Sequence, residues 1–165
     1  MLLYRGPRLA SDVRRLGLSL LALLAACRPP QAPTPVLTDR AAYAVAGTDT
    51  LYLDHFAPPT PADTASRTPR PAVLLLHGGG WTDGDPTWVH PAAAAFAAGG
   101  FEAFAVQYRL SDSATTPLEA IADVCTALRW VRVQADSLGV DAERVAIYGV
   151  SAGGHLAAST VTIGC

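Results

Sequence analysis

Apolar and polar positions fall into short blocks whose period switches between strand-like and helix-like along the 165 residues. Residues 41–57 (AAYAVAGTDTLYLDHFA) predict two short strands around Gly47-Thr48-Asp49, a hairpin signal. A Pro- and Thr-rich loop follows from Pro58 to Pro71, and then Ala72 to Leu76 (AVLLL) is continuously apolar, as a strand covered on both faces should be. A helix is expected over Thr87 to Ala98, stopped by Gly99-Gly100, and Phe101 to Tyr108 (FEAFAVQY) reads as the next buried strand. The clearest helix runs from Pro117 to Leu138. Thr116 is its N-cap, Glu119 completes a Thr-x-x-Glu capping box, and Gly139 closes it. Along it Leu118, Ile121, Cys125, Leu128, Val131, Ala135 and Leu138 recur at three- and four-residue steps, which gives one apolar face. Arg144 to Val150 (RVAIYGV) is a strand that stops at Ser151, and Ala152 to Ile163 begins another helix. Strands alternating with helices point to an α/β fold with a doubly wound, mostly parallel sheet.

The N-terminus has a different character. Arg5, Arg8, Arg14 and Arg15 precede Leu16 to Ala26 (LGLSLLALLAA), an apolar run of eleven residues. That is the length of a signal-peptide core and short of the roughly 20 residues a membrane span needs. The run ends Leu24-Ala25-Ala26-Cys27, which resembles a bacterial lipobox with Cys27 as the lipidated first residue of the mature protein. The alternative is an ordinary signal peptide cut after Ala26, and Arg14-Arg15 is a weaker twin-arginine candidate. Pro29, Pro30, Pro33 and Pro35 stiffen the segment after Cys27, as suits a tether. The expected organisation is a signal peptide over 1–26, a tether over 27–40 and a folded domain over 41–165. The protein would be carried across the inner membrane and held by its lipid in the periplasm or at the cell surface.

Composition narrows the partners. With 50% hydrophobic and 16% charged residues, most of the chain should fold rather than stay disordered. The formal charge of −2 gives no reason to expect nucleic acid as a partner, and the basic signal segment leaves the remainder more acidic still. Cys125 is expected to be a buried small hydrophobe, and Cys165 is the last residue; the alternative is a disulfide outside the cytoplasm, though two cysteines fix no framework.

Two motifs carry chemistry. Gly149-Val150-Ser151-Ala152-Gly153 fits G-x-S-x-G between a buried strand and a helix. A serine there stands on a sharp turn that lifts its Oγ above the strand end, and the flanking glycines remove Cβ atoms that would clash. His77-Gly78-Gly79-Gly80 ends an earlier buried strand, where backbone N–H groups can meet the oxyanion of acyl transfer. Each such donor is worth roughly 3–4 kcal/mol. The expected donors are Gly79 and Gly80, with the N–H of Ala152 completing the hole. Trp81 either lines the acyl pocket or packs the loop. His155, one helical turn beyond Ser151, reads as a packing residue and not a base, and His55 and His90 have no motif around them.

Together these residues resemble the N-terminal half of the HGGG-type α/β-hydrolases, closest to their bacterial esterase/lipase and feruloyl-esterase-like branch. The resemblance rests on His77 to Trp81, Tyr108-Arg109-Leu110, Ala127 to Val131 and Gly149 to Ala157, and spans about residues 40–165. It implies an α/β-hydrolase sheet cut short after the nucleophile-elbow helix, with Ser151 as nucleophile and His77 orienting the oxyanion loop. It also implies hydrolysis of small carboxylic esters through an acyl-serine, without a metal or organic cofactor.

The other half of the machinery is not in the sequence. In this fold the acid and then the histidine follow the serine, yet no Asp or Glu occurs after Ser151 and His155 is the only histidine there. Asp123, Asp136 and Asp141 all precede it. The chain is therefore expected to be an inactive fragment of a serine esterase. The rival expectations are an aryl-formamide or acyl-peptide hydrolase of the same fold, or a non-catalytic binding protein built on it.

Overall fold

At Gly47-Thr48 the chain reverses, with Gly47 at φ +66°, a left-handed conformation open to glycine at no steric cost. The turn joins β1 (Asp39–Ala46) to β2 (Asp49–Phe56) as an antiparallel hairpin. The computed structural model describes residues 35–59 and 68–165, so the expected signal peptide and Cys27 lie outside the described residues. Then come β3 (Arg70–Leu76), a 3-10 turn (Pro86–Val89), α1 (His90–Ala98), β4 (Glu102–Val106) and α2 (Pro117–Val133). The single turn α3 (Ala135–Leu138), β5 (Val140–Gly149) and α4 (Ala152–Ile163) complete the order.

The strands form one sheet in the order β1-β2-β4-β3-β5. β4, β3 and β5 run parallel, and the β1–β2 hairpin adds an antiparallel arm through β2. Both faces are covered, which is why β3 and β4 lack polar alternation. Val73, Leu75, Ala103 and Ala105 pack against Val89, Ala93 and Ala97 on one side. Leu74, Leu76, Phe104 and Val106 pack against Val124 and Leu128 of α2 and Leu156 of α4 on the other. This is the α/β-hydrolase arrangement the sequence predicts. The side-chain period of two fixes the register, because a one-residue slip would exchange the two cores.

Two helices depart from expectation. The segment expected as a helix from Thr87 opens as the 3-10 turn, where the Asp85 carboxylate accepts from the Thr87 N–H at 2.9 Å, and turns α-helical only at His90. The helix expected to reach Leu138 leaves helical dihedrals at Gln134 (φ −89°, ψ 7°) and resumes as α3. Gly139, left-handed at φ 68°, then ends it. The capping box forms as the sequence predicts: the Thr116 N–H donates to Glu119 Oε2 at 2.8 Å, and the Leu118 N–H to the Thr116 hydroxyl at 3.3 Å. Leu118 is 69% exposed, so burial of the apolar stripe starts at Ala120. Among the described residues no helix is long and apolar enough to cross a membrane.

Cys125 is not a free thiol. It is bonded to Cys165, with Cα atoms 5.3 Å apart. Because α4 packs beside α2, the residues just past α4 return to the level of Cys125, a non-local approach that spacing alone cannot show.

Candidate active site

Register brings the two motifs together. Leu76 of β3 pairs with Gly149 of β5 on one side and Val106 of β4 on the other. Three parallel strands therefore end at one rim, where His77, Val150-Ser151 and, two residues past β4, Tyr108 emerge. The Val150 N–H donates to the Leu76 carbonyl at 3.1 Å, which ties the elbow to the start of the glycine loop.

Ser151 stands between β5 and α4 with φ 52° and ψ −115°. A non-glycine residue held there costs about 1–3 kcal/mol, and such strain gathers at functional turns. The surrounding bonds enforce it. The Gly153 N–H donates to the Val150 carbonyl at 2.9 Å and the His155 N–H to the Ser151 carbonyl at 3.1 Å. A Cβ on Gly149 would stand 2.6 Å from the Gly154 nitrogen, and one on Gly153 would stand 2.5 Å from the His77 oxygen. The side chain of Ser151 is left exposed at the rim, above the buried Ala152 that opens α4. A helix N-terminus at that point favours developing negative charge.

The 77–80 loop lies beside it: a Cβ built on Gly78 would be 3.4 Å from the Ser151 Cβ. Gly79 and Gly80 take φ +114° and +62°, and Trp81 continues the left-handed run at +66°. The Gly79 carbonyl accepts from the Asp83 N–H at 3.0 Å, closing the turn. His77 holds the base of the loop. It is 1% exposed, and its Nδ1–H donates to the Gly78 carbonyl at 2.7 Å. Its ring stacks on Tyr108 with centroids 4.3 Å apart. The Tyr108 hydroxyl donates to the His77 carbonyl at 2.7 Å, and burial pushes its pKa up to about 12, so it keeps that proton.

Burial also lowers the His77 imidazole from its ordinary value of 6.5, against the Gly78 carbonyl, Asp85 and Asp83, which favour the cation. The folded chain thus resists a proton that the unfolded chain accepts near pH 6.5. This contribution to stability is complete above that pH and is lost as pH falls below it. A thermal midpoint that drops between about pH 7 and pH 5, and drops less steeply in His77→Gln, is the expected result. An unchanged slope in the variant would remove His77 as its cause.

The remaining titratable groups leave the serine hydroxyl unpartnered. Among the described residues Ser151 Oγ makes no hydrogen bond to any of them. Asp123, near the start of α2, reaches the segment just past β4. Both its oxygens are taken by Arg109, at 2.9 and 2.7 Å, and the Arg109 N–H adds a third bond at 3.0 Å. Buried Asp54 binds Arg40 and His90 at 2.9 and 2.8 Å. Burial pushes its carboxyl up, but those hydrogen bonds prevail and hold it below the usual range. His55 lies 2.8 Å from Glu102, which Arg70 also approaches at 3.3 Å. Asp141 pairs with Arg144 near the start of β5. His155 is exposed, with its ring edge-on to Trp81. Sequence reasoning missed the Tyr108–His77 lock and the Arg109–Asp123 pair. The one available signal for the latter was a lone acid within the apolar stretch Ala120-Ile121-Ala122-Asp123-Val124.

Known proteins carry the same frame. The BD-FAE family model matches residues 60–164. The carboxylesterase NlhH of Mycobacterium tuberculosis is 42% identical over 89 residues, 53% of this chain and 28% of that protein. An arylesterase of Saccharolobus solfataricus is 34% identical over 96 residues, 57% of this chain and 31% of its own length. Among solved structures, the native form of the thermophilic esterase Est2 from the planctomycete Thermogutta terrifontis superposes with a TM-score of 0.68 at 36% identity. It covers 80% of this chain and 45% of that one. The chain thus spans less than half the length of these relatives.

Proposed function

Because the chain belongs to the BD-FAE family of α/β-hydrolases, we propose that it is the nucleophile-bearing half of a serine esterase that cleaves small carboxylic esters through an acyl-serine. The observation that carries this reading is the exposed, left-handed Ser151 at a strand-to-helix elbow, set beside a buried-histidine glycine loop. Ser151 attacks the carbonyl carbon. The N–H groups of Gly79, Gly80 and Ala152 receive the oxyanion, and His77, neutral and buried, holds the loop without exchanging protons. The esterase names of the relatives support an ester as substrate.

A serine hydroxyl needs a base to take its proton, and a histidine base needs an acid to fix its tautomer. None of the four histidines hydrogen-bonds Ser151 among the described residues, so acid and base are assigned to polypeptide outside these 165 residues. In the complete hydrolase polypeptide, Ser151→Ala is expected to cut p-nitrophenyl acetate hydrolysis by about 10⁶-fold in kcat. Undiminished hydrolysis in that variant would remove Ser151 as the nucleophile.

We place the mature protein at a membrane by the lipid on Cys27, since two acyl chains anchor stably where one does not. Cys27→Ala should release it to the soluble fraction of a bacterial host, and an unchanged membrane fraction would refute the anchor.

A further inference from the structure

The glycine loop is loosely supported at its tip. A Cβ on Gly80 would meet nothing within 4 Å, so no neighbour packs there. Gly79 and Gly80 bring no side chains, and Trp81 is the first residue after them able to hold the turn. Yet Trp81 itself sits at φ +66°, a conformation an indole-bearing residue does not choose unaided. Packing against the main hydrophobic cluster and two further contacts keep it there. The Ser111 N–H donates to the Trp81 carbonyl at 2.7 Å, fixing its main chain to the segment after β4. The indole meets the His155 imidazole edge-on, with centroids 5.3 Å apart and planes at 88°. His155 is the one aromatic neighbour of Trp81 among the described residues, and the indole Nε1 has no hydrogen-bond partner there, so packing alone, against His155 and the main core, orients the ring. His155 rides on the helix that Ser151 begins, and its N–H donates to the Ser151 carbonyl.

We propose that His155 is a positioning residue that clamps Trp81, so that the Gly79–Gly80 turn and the Ser151 elbow are held as one unit. The clamp deepens the esterase reading and rests on it for its catalytic meaning. It gives a residue on the serine's own helix, without a hydrogen bond to the hydroxyl, a part in holding the oxyanion loop.

Hydrogen exchange on the chain itself tests this without turnover. His155→Ala should speed amide exchange in residues 77–84 roughly two- to tenfold, the factor an edge-to-face pair commands, with β3 and β4 unchanged. Trp81→Ala should do the same, and His155→Phe, which keeps the ring contact, should restore the slow rate. The proposal is overturned if exchange in 77–84 is unaffected by both alanine variants, rises equally through the sheet, or is not rescued by Phe. Esterase activity surviving in Ser151→Ala would instead sink the functional reading and leave the exchange result standing.

Discussion

Replacing Gly153 with alanine is expected to destabilise the fold by roughly 3 kcal/mol or more, the upper range for forcing a methyl into packed backbone. A Cβ there would stand 2.5 Å from the His77 carbonyl oxygen and 2.7 Å from the Leu76 carbonyl carbon. Both belong to main chain, and neither can swing aside as a side chain would. Leu76 is paired on both sides, with Val106 and Gly149, and the His77 carbonyl accepts the Tyr108 hydroxyl. Relief would have to come from α4 tilting away from β3, which would break the Gly153–Val150 bond and release Ser151 from its strained turn. Urea denaturation of the two chains measures the difference. A midpoint within error of the original would mean that the elbow is not packed against the glycine loop.

The second large effect is on catalysis. Alone, the 165-residue chain is expected to hydrolyse p-nitrophenyl acetate no better than the roughly 10³–10⁴-fold over water that an oxyanion hole and binding provide without a triad. The reason is geometric. His77 has spent its Nδ1 proton on the Gly78 carbonyl and is buried, His55 and His90 are paired with carboxylates, and His155 rests on Trp81. Asp123 is held by Arg109. Turnover at the level of a complete esterase, abolished by Ser151→Ala, would show that one of these groups does reach the hydroxyl.

What the sequence made legible was local. Apolar runs marked β3 and β4, the Thr116 capping box marked α2, Gly139 marked the end of α3, and G-x-S-x-G marked a strand-to-helix turn. Each depends on a few neighbouring residues and their backbone preferences. The contacts it hid join segments far apart in the chain. Cys125 meets Cys165 only because α4 packs beside α2. Tyr108 locks His77 only because β4 lies next to β3 in register. Histidines at 55 and 90 looked unremarkable because their carboxylate partners, Glu102 and Asp54, come from other elements. The break at Gln134 was hidden for another reason: the apolar period runs through it unbroken, so pattern alone predicts one helix.

The most direct measurement of the central assignment is the mass of the complete hydrolase polypeptide after treatment with a fluorophosphonate, followed by peptide mapping. The expected result is a single adduct on Ser151, formed in step with loss of ester hydrolysis and absent from Ser151→Ala. An adduct on another residue, or hydrolysis that stops while Ser151 remains unmodified, would contradict it.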